Sequence, residues 1–82
     1  MEIAAIKSKI REIISGMFDV PAANVPDEKL FSEMAKYDSM RALEFLAKLE
    51  TEFNVILDPD LLAKMGTVNM AAEVIEGLLH AA

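Results

Sequence analysis

The stretch DSMRALEFLAKLETEF, residues 38–53, decides how this chain is read. At about 100° per residue, Ala42, Phe45, Leu46, Leu49 and Phe53 fall on one side of a helix. Arg41, Glu44, Lys48, Thr51 and Glu52 fall on the other, and Met40, Ala47 and Glu50 flank them. This pattern predicts an amphipathic helix over Ser39–Phe53, closed by Asn54. Glu44 stands four residues before Lys48, the favourable order for a helical ion pair, worth a few tenths of a kcal/mol.

The same period recurs on both sides. Ile3, Ile6, Ile10, Ile13, Ile14 and Met17 form one stripe, which predicts a first helix over residues 2–17. Asp19, Pro21, Asn24 and Pro26 then break the period, and residues up to Asp38 read as a long connection containing one short turn. Val25, Leu30 and Phe31 are expected to pin that connection to the core, because a loose segment would leave all three in water. Downstream, Asp58-Pro59 reads as an N-cap followed by proline at the first helical position, opening a short third helix through Lys64. Gly66 ends it, and Thr67 caps a last helix to Leu79, with Val68, Ala71, Ala72, Ile75, Leu78 and Leu79 as its buried stripe. The expected fold is all-α: a small antiparallel four-helix bundle with a long loop between helices 1 and 2 and a short helix 3, one domain over residues 1–82.

Composition agrees and excludes several classes. Apolar residues make up 54% of the 82, aromatics only 6%, and twelve residues are alanine, which suits close-packed helices better than sheet. No apolar run exceeds the four residues Ile3–Ile6, so neither a membrane span nor a secretory signal core is expected. There is no cysteine, which excludes disulfides, thiolate metal sites and cysteine catalysis and fits a cytoplasmic protein. The net charge of −6 argues against nucleic acid. Residues 27–64 hold nine of the fourteen acids against five bases, so the surplus is concentrated in the middle of the chain.

Little here could perform catalysis. The only imidazole, His80, lies near the C-terminus, and a triad with Ser39 and Asp38 would require it to fold back on the second helix. Asp58 and Asp60 lack the ligand ladder of a calcium loop, and no glycine-rich phosphate loop exists. No catalytic residue and no metal site are assigned. Ser39 is the pointed feature: it opens an amphipathic helix, where backbone N–H groups and the helix dipole favour an anion on its oxygen. Asp-Ser before a helix is also what an ordinary N-cap looks like, and period alone leaves both readings open.

Asp38-Ser39-Met40, followed by a helix closing with Leu49-Glu50-Thr51-Glu52-Phe53, resembles the signature of the acyl carrier protein family. The similarity continues through Ile56-Leu57, the short third helix and Thr67-Val68, and Phe31 stands where the family often has a loop-anchoring phenylalanine. The resemblance implies a discrete, non-enzymatic carrier. Ser39 would hold a covalent 4′-phosphopantetheine arm, placed there from coenzyme A by a separate Mg²⁺-dependent phosphopantetheinyl transferase, and Asp38 would position the serine and the transferase's metal. The arm's thiol carries acyl or aminoacyl intermediates as thioesters, so a chain without cysteine can still take part in thiol chemistry. Its partners would be acyl-activating, condensing or acyltransferase enzymes of lipid, fatty-acid or polyketide-type biosynthesis, met by a monomer that does not insert into membranes. An unloaded helical interaction module or assembly subunit is the competing reading.

Three positions depart from the family pattern: Lys36 replaces a familiar glycine, Tyr37 a smaller residue, and Arg41 an acid. The expected docking surface comprises Met40, Arg41, Glu44, Ala47, Lys48 and Glu52, with Arg41 exposed and selecting the partner. Leu46, Ile56, Leu62, Met65 and Ala71 are candidates to line a cleft for the cargo, although core packing would account for them equally well.

Overall fold

The computed structural model describes residues 2–80. Three α-helices carry the bundle: α1 (Ile3–Phe18), α2 (Ser39–Phe53) and α3 (Val68–His80). All regular structure among the described residues is helical. α1 packs against both other helices, and its Ile6, Ile10 and Ile14 are fully buried with Leu49 of α2 and Val68 and Ile75 of α3. These residues repeat at three, four or seven positions, so each helix puts one continuous stripe into the shared core.

The helix ends are set by local chemistry. Asp19 and Asn54 close α1 and α2 in the left-handed region, with φ of 56° and 53°. Asp and Asn tolerate that conformation better than bulkier residues, and each returns its N–H to a carbonyl of the last turn, Ser15 and Glu50. The Thr67 hydroxyl accepts the Met70 N–H at 3.1 Å and so caps α3, as its position in the sequence predicts. Asp58 likewise accepts from the Asp60 N–H at 2.9 Å.

The short third helix lies where expected, over Pro59–Lys64 after the Asp58 cap, and its turns are 3₁₀. A 3₁₀ segment rises about 2.0 Å per residue against about 1.5 Å, so the same few residues reach further between the buried anchors Leu57 and Met65. The long connection contains two 3₁₀ turns, Ala22–Asn24 and Phe31–Glu33, not one. Val25 and Phe31 are buried as anchors, but Leu30 is 47% exposed. The 3₁₀ turn fixes the chain direction at Phe31, whose N–H also bonds Gly66 O at 2.8 Å, and its neighbour is thereby turned outward.

Candidate functional site

Asp38 supplies the cap of α2. Its backbone is extended, and its carboxylate accepts the Arg41 N–H at 2.8 Å while its carbonyl accepts the Ala42 N–H at 3.0 Å. Ser39 is therefore the first residue inside the helix, and it is exposed. Its hydroxyl makes no hydrogen bond among the described residues, so it is not used in capping. The amides of Ser39 and Met40 lie in the first turn, where no intrahelical acceptor is available. An exposed hydroxyl, two such amides and the positive end of a helix fit a phosphodiester joined to Ser39 Oγ; at an exposed helix end the dipole contributes about 0.3–1 kcal/mol.

Lys36, three residues before Ser39, has φ 72°, a left-handed conformation that favours glycine. Tyr37 follows, 39% exposed, its ring stacked on Phe18 at 6.5 Å between centroids and 15° between planes.

Arg41 is placed differently from the helical projection. It is half-buried, not exposed: its Nη1 donates to Met17 O at 3.2 Å and its guanidinium lies 5.9 Å from the centre of the Phe18 ring. Projection gives an angle around α2 but cannot say that the end of α1 lies at that angle. A cation there meets the unsatisfied carbonyls and negative dipole end of α1 and the aromatic face beside them. The exposed face of α2 thus loses a positive charge that the sequence assigns to it. Glu50 leaves that face as well, half-buried, with its carboxylate accepting the Leu57 N–H at 2.8 Å.

Met40, Glu44, Ala47, Lys48 and Glu52 are exposed as expected. Leu43, which the expected docking surface lacks, is also exposed, at 52% beside Met40 at 80%. The available signal was the three-residue spacing of two large apolar side chains off the buried stripe.

Behind the first turn of α2 lies a cavity of about 130 Å³, lined by Phe18, Phe31, Tyr37, Arg41, Phe45 and Leu62 among others. A cavity of about 150 Å³ takes a benzene-sized guest, so this one has room for about five or six carbon atoms. Of the candidate cleft residues, Leu62 and Met65 line it. Leu46 and Ala71 are buried in the core without lining it, and Ile56 is 90% exposed, because it lies on the open turn after α2. His80 is exposed on the last turn of α3 and makes no hydrogen bond with Ser39 or Asp38 among the described residues.

Ser39 is thus an exposed hydroxyl, free of hydrogen bonds among the described residues, at the start of α2 in a helical bundle. Comparison with known proteins agrees: residues 8–75 match the family model described as "Phosphopantetheine attachment site". The chain is 37% identical over 62 residues to the polyketide-8 synthase acyl carrier protein 1 of Streptomyces avermitilis, covering 76% of this chain and 74% of that one. It is 33% identical over 75 residues to an acyl carrier protein of Chlorobium phaeovibrioides, covering 92% and 96%. A solved acyl carrier protein structure from Enterococcus faecalis superposes with a TM-score of 0.79 at 29% identity, over 95% of this chain and 99% of that one. The chain belongs to the acyl carrier protein family, whose prosthetic group is covalently attached phosphopantetheine.

Proposed function

We propose that Ser39 carries the phosphopantetheine arm and that the chain shuttles acyl thioesters between the enzymes of a lipid or polyketide-type pathway, itself catalysing nothing. One observation carries the assignment: Asp38 caps α2, which leaves the Ser39 hydroxyl exposed and unbonded inside the matched segment. The bound arm supplies the thiol that this sequence lacks. Asp38 holds the first turn in place and sets its own carboxylate beside the serine, where a transferase's metal can approach it. Partners meet the exposed row Met40, Leu43 and Ala47, with Glu44, Lys48 and Glu52 at its side. Arg41 acts from within, fixing the start of α2 to the end of α1. The cavity behind it gives a short acyl group somewhere to fold back, and Phe31 and Phe45, edge to face at 5.2 Å, form part of its wall. Similarity to both a polyketide synthase carrier and general acyl carriers supports the pathway range.

The experiment is intact mass after incubation with coenzyme A, Mg²⁺ and a broad-specificity phosphopantetheinyl transferase. Wild type gains one arm and Ser39→Ala gains none. Because the cap belongs to Asp38, Ser39→Ala should unfold within about 0.5 kcal/mol of wild type. Modification of the Ala variant would assign the arm to another serine.

A further inference from the structure

The cavity behind the first turn of α2 has hydrocarbon walls and a few polar groups. Phe18, Phe31, Phe45 and Leu62 supply much of the wall, while Ser32, Tyr37 and Arg41 are the polar side chains in it. Arg41 is the one charged side chain of the lining, and none of the chain's fourteen acids lines the cavity. It is half-buried, and no carboxylate lies within ion-pair distance of it among the described residues. Its partners there are Met17 O, bonded from Nη1 at 3.2 Å, and the Phe18 ring. The rest of the planar N–H fork has no acceptor among the described residues. A cation withdrawn from water is ordinarily paired with an acid, yet in a chain of net charge −6 this one is not. Ser32 and Tyr37 line the cavity and are also exposed, which puts its mouth on the loop just before Ser39.

We propose that this cavity takes a short acyl group with a carboxylate at its far end, and that Arg41 is the residue that selects it. The inference rests on the carrier reading and adds to it a charge requirement on the cargo. The apolar walls cover the methylene stem, and the guanidinium fork pairs with the carboxylate through parallel N–H···O bonds. At about 130 Å³ the cavity admits a unit of about four carbons with its oxygens, and no long fatty chain. An uncharged group of the same length would cover the guanidinium with hydrocarbon and offer it no acceptor, which disfavours it. A group ending in an ammonium would meet like charge. Arg41 and Ala42 belong to the turn that Ser39 opens and also form part of the cavity wall. The attachment point and the selecting residue are therefore held on one short piece of helix.

The test compares two loaded forms of the full chain, made with Mg²⁺ and a broad-specificity transferase from succinyl and from butyryl coenzyme A. These cargoes match in chain length, and one ends in a carboxylate where the other ends in a methyl group. In ¹⁵N spectra, succinyl should shift the amides of residues 31–32, 41–45 and 62–66 at least about twofold more than butyryl does. With ¹³C in its carboxylate, the bound succinyl group should keep its charge to a pH about one unit lower than free succinyl pantetheine does. Arg41→Gln should return that titration to the free value. Arg41→Lys, which keeps the charge without the fork, should retain about half of the displacement. Equal or larger shifts from butyryl, or a wild-type titration identical to that of the free compound, would overturn the proposal. Both are read on wild type, so they hold whether or not the variants fold. An unchanged titration in a folded Arg41→Gln chain would overturn it as well. Intact mass separates the two readings. If Ser39 gains no mass the carrier reading falls, and succinyl pantetheine is titrated free into the bare chain. Saturating shifts at the same amides below about 10 mM would keep the cavity assignment, and their absence would overturn it.

Discussion

The connection between α1 and α2 is one segment in sequence and two in physical character. Its first half is braced from outside. The Asp27 carboxylate pairs with Arg11 and, at 3.7 Å, with Lys7, both on α1, while its carbonyl accepts the Asn69 N–H of α3 at 3.1 Å. One residue thus ties the loop to two helices. The second half has no ion pair among the described residues. It hangs from Phe31 and then passes through a strained Lys36 and a partly exposed Tyr37 to reach Ser39. The twenty-residue loop is tied by ion pairs where it leaves α1 and by apolar and aromatic contacts where it approaches Ser39.

Four substitutions break or sharpen that contrast. Phe31→Ala removes the single deep anchor of the second half and joins its volume to the existing cavity; the expected loss is about 3–4 kcal/mol in urea unfolding. A loss under about 1 kcal/mol would mean that the second half has another anchor. Asp27→Ala should cost about 1–2 kcal/mol, since two partly exposed pairs go together while the backbone bond to Asn69 survives. Salt should shrink that difference, and a salt-independent loss would show that the brace is not ionic. Arg41→Ala should cost about 1 kcal/mol, from one hydrogen bond and one cation–aromatic contact. Its clearest readout is faster amide exchange at residues 37–42, with the first half unchanged. Lys36→Gly should raise stability by about 0.5–1 kcal/mol, seen as a melting temperature higher by a few degrees. If Lys36→Gly were destabilising, the left-handed backbone there would be relaxed rather than strained.

Much of this arrangement could be read from residues alone. The isoleucine stripe of α1, the face of α2 and the caps at Asp58 and Thr67 are local features, and local rules place them within a residue or so. Asp-Ser before a helix also points to the candidate site, although only the geometry divides the roles, giving the cap to Asp38 and the free hydroxyl to Ser39. The misreadings share a cause. Arg41 and Leu43 lie on the surface of an isolated helix, and which of them meets α1 depends on how that helix crosses it. Leu30 and Phe31 are neighbours of similar hydropathy, and the one that enters the core is decided by the 3₁₀ turn and the bond to Gly66. Ile56 is as apolar as any core residue, yet it stands on a turn whose direction is set by the left-handed Asn54 and by Glu50 reaching the Leu57 amide.

The division of labour between Asp38 and Ser39 has a consequence for quality control. If Ser39 carries the arm, as proposed, attaching it breaks no hydrogen bond that holds the helix, and the dipole at the first turn of α2 favours the loaded chain by about 0.3–1 kcal/mol. Proteases and chaperones act on the unfolded fraction, which that difference changes by about fivefold at most. Under that proposal, unfolding separates bare from loaded copies poorly, and discrimination falls to enzymes that inspect the first turn of α2 directly.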